Sequence, residues 1–301
     1  MCIGEGSILK AAPFDYVRAA SLAEACELLR QDGDDVKLIA GGQSLAPMMA
    51  MRLARPSRLV DINEIAALKF VAFEPGVART GACTRQCVIE RDDALAARVP
   101  LLRQALAWVG HAQTRNRGTL GGSLAHADPA AELPLVAQVL GAKMLLRSTA
   151  GTRTVPATEF FNGPLTTALL PHECLEEIHW PTSAGPRTGS AFIEVSRRHG
   201  DFAIIAACAQ IAVDIDHRCI RASFGLAGGG STPLAFPQLA LHLNGTRLDD
   251  EAVQSVAQSA AVELDPGGDL HASSAYRKHL AGVLAARVLR AAYEQALLRT
   301  A

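Results

Sequence analysis

Two short glycine segments constrain this chain more than any other feature. Ala40-Gly-Gly-Gln-Ser44 directly follows a run with strand character, and Thr119-Leu-Gly-Gly-Ser123 closes a stretch rich in Gly, Thr and Asn. Glycine has no Cβ, so a backbone built from such pairs can approach a ligand closely and turn its N–H groups inward together. A hydroxyl at Ser44 or Ser123 supplies a further donor. One Gly-Gly pair alone is more often only a turn. Two segments with the same Gly-Gly-Ser logic, each beside a strand or helix end, point instead to a ligand with two phosphates, as in a dinucleotide. Neither has the Gly-x-Gly-x-x-Gly spacing of a Rossmann site or the Gly-Lys-Ser/Thr of a triphosphatase loop, which argues against both.

The surrounding chain places these segments in an α/β context. Ser21-Leu-Ala-Glu24 is a capping box ahead of an apolar face made by Leu22, Ala25, Cys26, Leu28 and Leu29, which predicts a helix over 21–31. Strands are expected at 36–40, at 58–62 behind Pro56, and at 77–82. Helices are expected at about 45–55, 85–91, 100–109 and 129–140, the last with Pro129 near its start. The Gly, Thr and Asn content of 114–123 predicts a loop. A hairpin at 143–147 and 152–155 and a strand at 174–180 close this region. Pro181-Thr-Ser-Ala-Gly-Pro186 is the strongest linker signal and divides the chain into units of 1–182 and 183–301. Beyond it come β-like stretches at 190–197, 202–213 and 219–227, then helices at about 249–261 and 274–298, the order of an α+β unit.

Composition narrows the function classes. At 301 residues, 49% hydrophobic and 20% charged, the chain has the length for two domains and the apolar content for a substantial core. Lys and Arg number 29 against 30 Asp and Glu, so overall charge cannot drive binding to nucleic acid or an anionic membrane. The longest apolar run, 202–213, is too short to span a bilayer. Residues 1–20 carry Glu5, Lys10, Asp15 and Arg18 and lack the apolar stretch of a signal peptide, so a cytoplasmic location is expected. Seven scattered cysteines, an odd number, argue against a disulfide framework and agree with a reducing compartment.

Other constellations carry less. Cys83 and Cys87 are spaced to share a helical face, but two thiols alone hold neither zinc nor an iron–sulfur cluster. The nine histidines lack metal-ligand spacing, and His126 and His199 read as surface or hydrogen-bonding residues. Arg115 and Arg117, flanking Asn116, are placed to steer an anion, whereas Arg197-Arg198-His199-Gly-Asp201 reads as a charged strand end. No catalytic nucleophile motif is present.

Taken together, Ala40-Gly-Gly-Gln-Ser-Leu-Ala-Pro47, Arg52-Leu53, Leu59-Val-Asp-Ile62, Arg115-Asn116, Gly118-Thr-Leu-Gly-Gly-Ser123 and Ala127-Asp-Pro129 resemble the FAD-binding medium subunit of the molybdenum hydroxylases. This is the family of the xanthine dehydrogenase and aerobic carbon monoxide dehydrogenase flavoproteins. The likeness runs from Phe14-Asp-Tyr16 to the C-terminal helix. It implies an α+β chain: a two-subdomain FAD-binding domain of the vanillyl-alcohol-oxidase (PCMH) type, followed by a small α+β C-terminal domain. It implies that Leu38, Ile39, Ala40, Gly41, Gly42, Gln43, Ser44 and Leu45 hold the FAD diphosphate. Thr119, Leu120, Gly121, Gly122 and Ser123 would hold it from the other side, through inward N–H groups of Gly121 and Gly122 among others. Asp128 and Glu132 would contact the ribityl and adenosine parts, and Leu169 would border the flavin ring. Two positions depart from the family: Glu132 stands where many relatives carry Asp, and Ile193 where some carry a Lys near the flavin.

The resemblance also implies a relay role. A molybdenum cofactor on a large subunit oxidises the substrate, two 2Fe–2S clusters on a small subunit carry the electrons to this FAD, and an external acceptor removes them. The assembly implied is a heterotrimer or a dimer of heterotrimers. A self-contained flavoenzyme of the same fold, such as an enolpyruvyl-sugar reductase, has similar length but needs its own substrate pocket and acid; Ala127-Asp-Pro-Ala-Ala-Glu132 favours the relay subunit. A non-enzymatic nucleotide-binding module would keep the glycine segments and hold no flavin.

Overall fold

Three parallel strands open the chain. The structure is a computed structural model and describes residues 10–32, 35–182, 185 and 187–299. The leader reading of 1–9 and half of the linker (Ser183, Ala184 and Pro186) lie outside the described residues. Strands β1 (Asp15–Arg18), β2 (Val36–Ile39) and β3 (Arg58–Asp61) form a sheet in the order β1-β3-β2, with helices α1 (Leu22–Asp32) and α2 (Leu45–Ala50) between them. The capping box forms: Glu24 N donates to Ser21 Oγ at 3.1 Å, and Glu24 Oε2 accepts from Ala20 N at 2.7 Å. The apolar face behind it buries Ala25, Cys26 and Leu29 against Val36, Val60 and Ile62. Helix α2 is shorter than expected, because Arg52 turns to φ +60° and breaks it.

The second unit is an antiparallel sheet flanked by helices. Its elements are β4 (Val71–Glu74), β5 (Val77–Gly81), α3 (Gln86–Arg91), α4 (Asp93–Arg98), α5 (Pro100–Leu106), α6 (Ala112–Arg117), α7 (Leu120–His126) and α8 (Glu132–Leu140). They continue with β6 (Lys143–Ser148), β7 (Gly151–Pro156), α9 (Ala157–Phe160), β8 (Phe161–Gly163), β9 (Thr166–Thr167) and β10 (Cys174–Pro181). The sheet order is β4-β5-β10-β6-β7. Trp180 is fully buried in it and donates from Nε1 to Thr80 Oγ1 at 2.9 Å, satisfying the one polar atom of its ring system.

The stretch 114–123 is the clearest departure from the sequence expectation. It is not a loop: it completes α6 and begins α7, with only Gly118 and Thr119 between them. Composition misleads here because Gly118 and Gly121 serve close packing rather than a turn. A Cβ on Gly121 would lie 2.5 Å from Ala82 Cβ. Helix α8 also starts three residues after Pro129, since Asp128 Oδ1 accepts from Ala130 N at 2.8 Å and holds a turn there.

The last unit is the expected α+β arrangement. Strands β11 (Thr188–Val195), β12 (Ile205–Val213), β13 (Cys219–Ala227) and β14 (Leu234–Ala235) form an antiparallel sheet in chain order, followed by α10 (Pro237–Leu241), α11 (Asp250–Glu263) and α12 (Ser274–Leu298). Helix α12, backed by α11, covers one face, and α5 and α8 of the preceding unit cover the other. Every residue of β12 is therefore buried, which is why its sequence reads as a nearly continuous apolar run, interrupted at Gln210, rather than an alternating one. The apolar cluster around α5 and α8 extends into this unit through Phe192, Ala206, Cys208 and Ala227. Among the described residues no helix is long and apolar enough to cross a membrane.

Candidate functional site

The strand and helix ends bring both glycine segments to the wall of one cleft of about 1030 Å³. A Cβ on Gly41 would lie 2.4 Å from the carbonyl oxygen of Arg117 and 2.9 Å from Gly118 Cα, so the segments meet backbone to backbone. Gly42 follows at φ +70°, a conformation that side-chain-bearing residues adopt at a cost. No backbone acceptor among the described residues takes the N–H groups of Gly42, Gln43 or Ser44. Ser44 precedes α2 without spending its hydroxyl on a cap.

A polar chain fixes this arrangement. Asn63 Nδ2 donates to the Ala40 carbonyl at 2.5 Å and to Asp61 Oδ1 at 2.6 Å, and Asn63 Oδ1 accepts from Arg85 Nη2 at 2.7 Å. Arg85 Nη1 donates to the Arg117 carbonyl, and the Tyr16 hydroxyl donates to Asp61. The sequence gives no signal for Asn63 or Arg85: neither sits in a motif, and only the fold makes them neighbours.

The second segment enters the cleft differently from the expectation. Gly121 N donates to the Ala82 carbonyl at 2.8 Å, and Gly122 N donates to Thr119 Oγ1 at 3.1 Å, the N-cap bond of α7. Those two amides are committed inside the protein, because α7 is stitched onto the turn after β5. The segment presents instead the Ser123 side and the surface of Gly122. Leu120 is fully buried in the core and does not line the cleft, whereas the other fifteen of the sixteen expected residues do.

Beyond the segments, Asp128 and Leu169 are half-buried on the cleft wall and Glu132 is 7% exposed in the first turn of α8. Burial, reinforced by the nearby charge of Asp128, pushes the Glu132 carboxyl up to about 7. The stretch 165–173 forms another wall. Arg153 forks onto Glu173 at 2.7 Å through Nε and Nη2, while Arg153 Nη2 also donates to the Ala168 carbonyl at 2.6 Å and Leu170 N donates to Glu173 at 2.9 Å. Gly200, Asp201 and Phe202 stand at the rim, with the His199 ring edge-on to Trp108 at 6.1 Å between centroids. His126 also lines the cleft.

Several sequence candidates turn out to be structural. Arg115 is bonded through Nε and Nη2 to Glu90 at 2.9 and 3.1 Å, with Nη1 on the Val109 carbonyl, so its charge is spent. Ile193 packs into the C-terminal core and is not part of the cleft, so the departure there leaves the site unaltered. Among the described residues the cysteines are free thiols, and no group of three or more His, Cys, Asp or Glu side chains is arranged to hold a metal. Three of the thiols, Cys26, Cys83 and Cys174, share one core, with Cys26 and Cys174 sulfurs 3.7 Å apart.

Two glycine segments facing one cleft, with carboxyl groups on the wall beyond them, are the arrangement expected of a dinucleotide-cofactor site. The family model for the FAD binding domain in molybdopterin dehydrogenase matches residues 12–183, and that for the CO dehydrogenase flavoprotein C-terminal domain matches 190–292. The chain belongs to the FAD-binding medium subunits of the molybdenum hydroxylase family, and is thus part of an oxidoreductase. It is 38% identical to the 6-hydroxypseudooxynicotine dehydrogenase complex subunit alpha of Paenarthrobacter nicotinovorans, over 96% of this chain and 97% of that one. It is 36% identical to the caffeine dehydrogenase subunit beta of Pseudomonas sp. strain CBB1, over 95% and 97%. Its fold is similar to that of a chain of the carbon monoxide dehydrogenase from Hydrogenophaga pseudoflava, with a TM-score of 0.92 at 34% identity over 95% of this chain and 99% of that one.

Proposed function

We propose that this chain is the electron-transfer subunit of a molybdenum-containing hydroxylase or dehydrogenase, passing electrons from 2Fe–2S clusters of a partner subunit through FAD to an external acceptor. The observation that carries this reading is the backbone contact of the two glycine segments on one cleft wall. Residues 38–45 would hold the FAD diphosphate through the amides of Gly42, Gln43 and Ser44 and the Ser44 hydroxyl. Thr119, Gly121, Gly122 and Ser123 would close the other side, with the Ser123 hydroxyl as the donor and the glycines giving clearance. Asp128 and Glu132 would meet the ribityl and adenosine parts, and Leu169 the ring. Bound FAD supplies the electron-accepting and electron-donating chemistry; the protein contributes position and surroundings.

The relay reading is supported by the relatives, whose names are those of subunits of dehydrogenase complexes. A large molybdenum-cofactor subunit and a small iron–sulfur subunit would complete a heterotrimer or a dimer of one, in the cytoplasm. The division at 182/183 would separate the FAD-binding domain from the C-terminal domain. The test is reconstitution. The isolated chain with FAD should contain no molybdenum or iron and leave heterocyclic or aldehyde substrates unoxidised; adding both partner subunits should bleach the flavin anaerobically. Substrate oxidation by this chain with FAD alone would overturn the relay reading in favour of a self-contained flavoenzyme.

A further inference from the structure

Four residues into α12, Arg277 is only 8% exposed. A guanidinium taken out of water is costly unless hydrogen bonds replace its hydration. The N-terminal end of a 25-residue helix is also where the helix dipole opposes a cation. Neither effect favours Arg277 at this position, so its partners must.

Those partners lie on three other segments. Arg277 Nη1 donates to the Ile204 carbonyl at 2.6 Å and to the Gly228 carbonyl at 3.0 Å, and Nη2 donates to Asp269 Oδ2 at 2.7 Å. Asp269 is held in turn by the amides of His271 and Ala272, which donate to Oδ1 at 2.8 and 2.9 Å. The two carbonyls converge because Gly228 lacks a side chain: a Cβ there would lie 2.6 Å from the Ile204 oxygen. Both carbonyl-bearing segments continue to the cleft. Ile204 comes two residues after Phe202, and Gly200, Asp201 and Phe202 stand on the rim. Gly228 N donates to the Pro129 carbonyl at 3.0 Å. Pro129 belongs to the turn in which Asp128, on the cleft wall, accepts from Ala130 N, and that turn leads into Glu132 at the start of α8.

We propose that Arg277 is a positioning residue for the FAD cleft, acting from the C-terminal unit. Through Gly228 and Pro129 it fixes the turn that carries Asp128, and through Ile204 it fixes the rim at 200–202. It does not line the cleft itself. The inference rests on the assignment of Asp128 to the FAD wall. Removing the guanidinium strips two buried carbonyls and one carboxylate of a shared donor. Acceptors left unpaired in a dry place draw the backbone towards water. The Gly228 turn then shifts, and Pro129, bonded to it, moves with it.

The test compares the full chain with R277M, which keeps the length of the side chain and removes its donors. The Gly228 and Ala130 amides should exchange hydrogen faster without FAD, and FAD affinity should fall roughly tenfold. Because both residues act on one turn, R277M combined with D128N should lose little beyond the weaker single variant. L284A, fully buried in the C-terminal core on the same helix, is the control. It should lower the urea midpoint and leave FAD affinity and Ala130 exchange as in the wild type. Full affinity in R277M beside a weakened D128N would overturn this inference alone, as would additive losses or an equal loss of affinity in L284A. D128N with wild-type affinity would instead fail the assignment of Asp128 and with it the route through Pro129. Should R277M not fold, R277K is judged by the same outcomes, since one ammonium cannot span the three acceptors that the planar fork reaches.

Discussion

The carbonyl oxygen of Arg117 lies 2.4 Å from the point where a Cβ of Gly41 would stand. Two segments more than seventy positions apart are therefore one surface, and the polar chain through Asn63 and Arg85 keeps them so. Neither segment can shift without the other, and a cofactor seated on one is positioned by both.

This contact ranks the glycines. Gly41→Ala must push backbone against backbone and should cost about 1–3 kcal/mol, the usual range for overpacking. Gly42→Ala meets only ordinary van der Waals contact, with Ile39 Cδ1 at 3.4 Å as its nearest neighbour, and should cost only the left-handed penalty of roughly 1–2 kcal/mol. Denaturant midpoints and bound flavin per chain should both fall further for Gly41→Ala. The reverse order would mean that the segments move apart freely.

The hydroxyls separate binding from folding. Ser44→Ala and Ser123→Ala remove donors that the fold does not use, so FAD affinity should drop about 10- to 100-fold with the urea midpoint unchanged. Thr119→Val loses the cap of α7 and should cost about 1 kcal/mol of stability. Calorimetric titration with FAD and urea unfolding read the two effects independently. Full affinity in both serine variants would remove the hydroxyls from the site.

Glu173 governs the acid side. Burial alone would raise its carboxyl; the Arg153 fork and the Leu170 amide outweigh it and hold the group below the usual carboxylate range. A depressed carboxyl stabilises the fold above its unfolded-state value and loses that contribution as pH falls through its folded value. Because Arg153 is 43% exposed, solvent screens the pair to about 1 kcal/mol. Glu173→Gln should melt lower at pH 7 and converge on the wild type as pH falls below the ordinary carboxylate range. A constant gap at all pH values would show a packing effect instead.

Much of this architecture is legible in the residues themselves. Ser21 and Glu24 announce α1, and the Gly-Gly-Gln-Ser and Gly-Gly-Ser segments mark the cleft, because both signals act between residues close in sequence. The region 114–123 is misread because glycine reports a need for clearance without saying whether a turn or a neighbouring backbone requires it. Ala82, which abuts Gly121, is invisible to that reasoning. The Asn63–Arg85 link, the Arg153–Glu173 fork and Glu194 are equally hidden: each is an ordinary polar residue until strand order supplies its partner or withholds one.

Glu194, buried on β11 with no hydrogen-bond partner for its carboxylate among the described residues, makes a prediction about stability that is independent of any cofactor. Its folded value, about 8, stands well above the ordinary 4.5, and Glu132 is displaced the same way. The folded state thus binds more protons than the unfolded state between pH 4.5 and about 8, so ΔG of unfolding must fall as pH rises through that window and level off above it. Each unit of displacement corresponds to about 1.4 kcal/mol. Glu194→Gln removes one of the two groups and should flatten the alkaline limb: the variant should match the wild type near pH 5 and exceed it in denaturant midpoint at pH 9. Stability curves at fixed ionic strength measure this directly. A Gln variant less stable than the wild type at pH 9 would mean that the carboxylate is solvated or paired there, and that Glu194 is held charged rather than protonated.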